Sequence, residues 1–74
     1  MVALRKRSVT VSGHRTSVSL ETPFWDALRG IAAEEGRSLN DLVSEVDRGR
    51  DPETGLSSAL RLRALARWRP GTGA

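Results

Sequence analysis

The stretch Arg15-Thr16-Ser17-Val18-Ser19-Leu20-Glu21-Thr22-Pro23-Phe24-Trp25 changes its periodicity halfway along. Over its first six residues Thr16, Val18 and Leu20 alternate with Arg15, Ser17 and Ser19. Alternation with β-branched residues predicts a strand buried on one face. Thr22-Pro23 then predicts a helix start, with Thr22 as cap and Pro23 at the first helical position, where a missing N–H costs nothing. Asp26 is expected in the first turn, where it favours the helix dipole. Phe24, Leu28, Ile31 and Glu35 fall on one stripe, with Trp25 and Ala32 beside it. Gly36 predicts a left-handed stop. Ser38 predicts the cap of a second helix with Asp41 three residues on; Leu39, Leu42, Val43 and Val46 give its apolar face, and Arg48-Gly49 its end.

Outward from this core the signals weaken. Val9 and Val11 alternate with Ser8, Thr10 and Ser12. Ser12-Gly13-His14 is either a turn joining two short strands or a kink in a longer arm, so Arg7–Ser12 is a candidate second strand. Asp51-Pro52-Glu53-Thr54-Gly55 is a turn-rich linker. Ser57 is a candidate cap for a third helix running to about Trp68, with Leu56, Leu60, Ala64 and Trp68 four residues apart and Leu65 near that stripe. The expected organisation is a basic arm over 1–14, a core over 15–50, a linker and C-terminal helix over 51–69, and a disordered tail over 70–74.

Seventy-four residues make one small domain, and a chain of this size commonly completes its core with a partner subunit. It has no cysteine, hence no disulfide or thiolate site, which fits a reducing cytoplasm. Its apolar runs are far shorter than the roughly 20 residues of a membrane span. The basic start Met1-Val2-Ala3-Leu4-Arg5-Lys6-Arg7 has no apolar stretch behind it of the kind a signal peptide needs.

The net charge of +3 is unevenly spread. Residues 1–20 carry Arg5, Lys6, Arg7 and Arg15 and no acid. Residues 21–53 carry nine acids against four arginines, and residues 54–74 carry Arg61, Arg63, Arg67 and Arg69 and no acid. Basic ends around an acidic middle suggest a polyanionic partner, with solvated tails as the plainer explanation.

A half-buried strand that leads straight into two amphipathic helices leaves its backbone edges unpaired. Two copies resolve this by pairing their strands antiparallel, with Val18 and Leu20 turned to the helices and Arg15, Ser17 and Ser19 outward. Such a ribbon fits the major groove of DNA. The stretch Arg15–Trp25, followed by Ala32-Ala33-Glu34-Glu35-Gly36-Arg37-Ser38-Leu39-Asn40, resembles the ribbon-helix-helix superfamily of the Arc and methionine repressors. The longer segment Lys6–Leu20, with Leu56-Ser57-Ser58-Ala59-Leu60-Arg61, resembles a bacterial subfamily of it.

The resemblance implies a mainly α fold with a short N-terminal β-ribbon and a C-terminal helix, as an intertwined homodimer with intermolecular antiparallel strands. Its dimer core would comprise Val18, Leu20, Phe24, Leu28, Ile31, Leu39, Leu42, Val43 and Val46. It implies base reading by Arg15, Ser17 and Ser19, and phosphate binding at the second helix's N-terminus by Ser38, Leu39 and Asn40, with Arg37, Lys6 and Arg7 adding charge. The phosphate role has independent support, because the first N–H groups of a helix are unpaired and its dipole is positive there. Family ribbons often carry longer polar side chains than serine outward, so specificity here can rest on Arg15, Lys6, Arg7, His14 or DNA shape.

No chemistry-bearing constellation accompanies these residues. His14 stands alone without ligand-spaced partners, Ser17 and Ser19 lack a His-Asp pair, and Asp47, Asp51 and Glu53 sit in a linker with no apolar pocket. The expectation is a cytoplasmic, non-enzymatic DNA-binding regulator or repressor needing no metal or cofactor. The alternative is an antitoxin-like adaptor whose helix Leu56–Arg69 binds a protein partner. Trp25 is read as packing or a boundary residue, and Trp68 as a core cap or an exposed anchor.

Overall fold

A computed structural model describes residues 3–67. Strand β1 (Leu4–Val11) and strand β2 (His14–Glu21) form a two-stranded antiparallel sheet, followed by helices α1 (Thr22–Glu34), α2 (Leu39–Gly49) and α3 (Leu56–Arg67). The expected architecture of a short ribbon followed by helices is present. Trp68, expected as a core cap or anchor, and the expected disordered tail over 70–74 lie outside the described residues.

The candidate second strand forms. β2 pairs with β1 of its own chain, from Leu4 opposite Glu21 to Val11 opposite His14. The cause is local: Ser12 and Gly13 have φ of 50° and 84°. Two successive positive-φ residues make the two-residue turn whose twist matches that of the flanking strands. Of the two readings of Ser12-Gly13-His14, the turn holds.

Pleating then sorts the ribbon. Val9, Val11, Val18 and Leu20 face inward and are buried with Trp25, Leu28, Ile31, Ala32, Leu42, Val43, Leu60 and Ala64. Phe24, Leu39 and Val46 pack partly buried against them. The residues assigned to a core shared between two copies thus come together inside one chain. Trp25, read as packing or a boundary residue, packs in the core at 1% exposed. Its Nε1–H donates to the Arg5 carbonyl at 2.9 Å, pinning the first half of β1.

Helix ends hold in part. Gly36 is left-handed with φ of 68°. The Gly36 N–H donates to the Ala33 carbonyl and the Arg37 N–H to the Ala32 carbonyl, which closes α1 with the two hydrogen bonds of a Schellman stop. Ser38 caps α2, its Oγ accepting the Asp41 N–H at 3.0 Å.

Two expected caps do not form. Glu21, still extended at the end of β2, occupies the N-cap of α1, so Thr22 is already helical and no acid lies in the first turn. The carboxylate of Glu21 turns instead to Arg61. α3 begins at Leu56. Ser57 is therefore inside its first turn, and the Gly55 carbonyl accepts the Ala59 N–H.

Candidate nucleic-acid interface

The register places Lys6 opposite Ser19, Ser8 opposite Ser17, and Thr10 opposite Arg15. Opposite residues of an antiparallel pair share a face, so these six side chains lie together on the side of the ribbon away from the core. Lys6, Ser8, Arg15 and Ser17 are exposed; Thr10 and Ser19 are half-buried. Among the described residues neither Lys6 nor Arg15 pairs with an acid. Glu21 closes the far end of this face opposite Leu4, with its charge met by Arg61. The face runs about 14 Å along the strand from Lys6 to Thr10 at ~3.4 Å per residue.

Arg15, Ser17 and Ser19 therefore stand on the outward face as expected from the sequence, and Lys6 stands with them. Arg7 does not. It lies on the inner side opposite Val18, half-buried, with its guanidinium 5.7 Å from the centre of the Trp25 ring. Ser8 and Thr10 were missed. The signal for them was the two-residue turn, which fixes which residue of β1 faces each residue of β2.

At the start of α2 the expected residues divide by what they already bind. Ser38 commits its Oγ to Asp41 and its carbonyl to Leu42. The Leu39 side chain packs against the core. Asn40 Oδ1 accepts the Thr10 N–H at 3.2 Å. The guanidinium of Arg37 pairs with Glu45 and Glu35. Its hydrogen bond to Glu45 holds the Arg37 pKa above, and the Glu45 pKa below, their ordinary values. Of the first-turn donors, the backbone N–H groups of Leu39 and Asn40 remain for an anion.

The C-terminal arginines are also committed. Arg61 Nε donates to Glu21 at 2.9 Å and Arg63 to Glu35 at 2.8 Å, while Arg67 pairs with Glu34. The Arg61 bond holds the Glu21 carboxyl below the usual carboxylate range. With Leu60 and Ala64 buried beneath them, these pairs fasten α3 to the rest of the chain. The other side of α3 leaves Leu62 and Leu65 exposed, at 61% and 46%.

Among the described residues no group of histidine and acidic side chains could hold a metal ion. No helix there is long and apolar enough to cross a membrane.

Comparison with known proteins agrees with this geometry. The ribbon-helix-helix domain family matches residues 4–68. Among solved structures, an uncharacterized protein from Bordetella pertussis Tohama I is similar at 33% identity and a TM-score of 0.71. The match covers 86% of this chain and 54% of that one, so this chain spans about half the length of that protein. No curated protein matches. A two-stranded ribbon, three helices and a family match over nearly the whole chain place this protein in the ribbon-helix-helix domain family, in general a family of DNA-binding regulators.

Proposed function

We propose that this protein is a homodimeric transcription regulator that lays the outer face of its ribbon in the major groove of DNA, and so works in the compartment that holds the chromosome. The observation that carries this is the outward set Lys6, Ser8, Thr10, Arg15, Ser17 and Ser19, polar and basic throughout. When two copies pair, the β2 strands with Arg15, Ser17 and Ser19 form the central pair, which a groove about 12 Å wide admits, and the β1 strands flank them. Arg15 has the reach and fork for a bidentate contact to guanine, and the hydroxyls supply shorter contacts. Lys6 and the first N–H groups of α2 hold phosphates, which fixes register without reading sequence.

The second copy joins along β2. The Thr10 backbone points away from β2, because its N–H and carbonyl bond to α2. Ladder bonds alternate along an antiparallel pair, so the backbone groups of Arg15, Ser17 and Ser19 point away from β1. That edge carries no proline or bulge to block a further strand. Pairing of β2 with a second β2 about Ser17 sets Arg15 opposite Ser19 of the other copy and brings no like charges face to face. The resulting two-fold site calls for a near-palindromic operator.

Selection of bound duplexes from random DNA tests the reading: enrichment of a two-fold sequence whose affinity falls steeply with salt supports it. Failure to bind any duplex at low salt contradicts it. The exposed Leu62 and Leu65 support a second reading, an adaptor that offers the outer side of α3 to a protein partner. In that case Leu62→Glu with Leu65→Glu abolishes capture of the partner and leaves duplex affinity untouched.

A further inference from the structure

Asn40 and Ser44 are one turn apart on α2, both turned to the end of β1. Asn40 Oδ1 accepts the Thr10 N–H at 3.2 Å. Ser44 works in both directions: its Oγ accepts the Ser12 N–H at 3.3 Å, and its O–H donates to the Thr10 carbonyl at 3.2 Å. Together they close the outer edge of β1 at the turn end of the ribbon, where a further strand would otherwise bind. They are also the only hydrogen bonds among the described residues that tie the ribbon to α2.

This position matters for binding. Arg15 lies directly across the ribbon from Thr10, and Asn40 is the second residue of α2. The clamp beside Thr10 therefore connects the strand pair that carries Arg15 to the helix start that, in the regulator reading, holds a phosphate. A duplex must meet both at once. We propose that Asn40 and Ser44 are positioning residues for DNA binding: a latch that fixes the spacing between ribbon and α2 N-terminus before the duplex arrives. This inference rests on the regulator reading above and makes the Asn40 side chain a latch, beside the phosphate role of its backbone N–H. A partner that finds both contact groups already placed does not bear the cost of ordering them.

Ser44 separates the two roles, because it lies a full turn beyond the helix start and its hydroxyl is engaged with β1. The experiment measures the affinity of full-length wild type, Ser44→Ala, Ser44→Thr and Asn40→Ala for the selected duplex at several salt concentrations. Amide hydrogen exchange at Thr10 and Ser12 is followed by NMR in the unbound proteins. The latch predicts faster exchange at Ser12 in Ser44→Ala and at Thr10 in Asn40→Ala. It also predicts about five- to tenfold weaker duplex binding for each, the scale set by removing one or two hydrogen bonds. The slope of log affinity against log salt stays that of wild type, since the same phosphates are neutralised. Ser44→Thr, which keeps the hydroxyl, restores affinity. If Ser44→Ala binds like wild type although its Ser12 amide exchanges faster, the latch is overturned and the regulator reading stands. If wild type binds no duplex, both are overturned, while the exchange rates still report on the hydrogen bonds themselves.

Discussion

The basic residues at the two ends of the chain look alike in sequence and serve different purposes in the fold. In the ribbon, Lys6 and Arg15 are exposed and unpaired among the described residues, on a face lined with hydroxyls. On α3, Arg61, Arg63 and Arg67 each meet a glutamate, from the end of β2, from beyond α1 and from its last turn. The acidic middle of the chain is thus drawn to its C-terminal end and leaves the N-terminal end bare. Charge segregation along a sequence becomes charge available to a partner only after the fold has decided which pairs form.

The comparison breaks most readily at Leu60, fully buried under α3. Leu60→Ala should cost about 2–5 kcal/mol in thermal or urea unfolding, because it leaves a cavity where α3 meets the core. A loss below about 1 kcal/mol would mean that α3 is not held as described.

Arg15→Ala should leave stability unchanged and cost about 1–3 kcal/mol on the preferred duplex while flattening the preference among duplexes. Equal loss on every sequence would make Arg15 a phosphate contact and move base reading to the hydroxyls or to DNA shape.

Arg63→Ala should lower stability by only about 0.2–1 kcal/mol, since its pair with Glu35 is partly exposed. Its duplex affinity should equal that of wild type. A fall in affinity without a change in fold would show that α3 carries DNA contacts as well.

The smallest effect is that of pH. Glu21 and Glu45 have folded pKa values below the ordinary one, through hydrogen bonds from Arg61 and Arg37. A depressed carboxyl contributes stability that is complete above its unfolded pKa of about 4.3 and is lost as pH falls through the lower folded value. Urea midpoints should therefore fall between pH 5 and about pH 3, and Glu21→Gln with Glu45→Gln should flatten that fall.

Much of this was legible in the residues. The change from period two to period 3.6 at Thr22 places the strand-to-helix junction within one residue, and Gly36 and Ser38 mark the corner between α1 and α2 because positive φ and an N-cap have few alternatives. The partner of β2 was legible only as one of two readings of Ser12-Gly13-His14. Pairing is a non-local choice, and the left-handed conformation of both Gly13 and Ser12, the latter a residue that seldom adopts it, commits the chain to a hairpin. For the same reason the roles of Arg7, Arg37 and Asn40 were read as phosphate contacts: each is polar and near the proposed interface. Their side chains are taken up by Trp25, by two glutamates and by the Thr10 amide, partners that depend on tertiary packing.

The most direct measurement is the slope of log affinity against log salt for three proteins on one duplex: wild type, Lys6→Ala, and Arg63→Ala with Arg67→Ala. Each phosphate that is no longer neutralised makes the slope shallower by about 0.9. Lys6→Ala should show a change of at least that size, and the double variant on α3 should keep the wild-type slope. The reverse pattern, an unaltered slope for Lys6→Ala and a shallower one for the α3 variant, would contradict the ribbon as the DNA-facing surface.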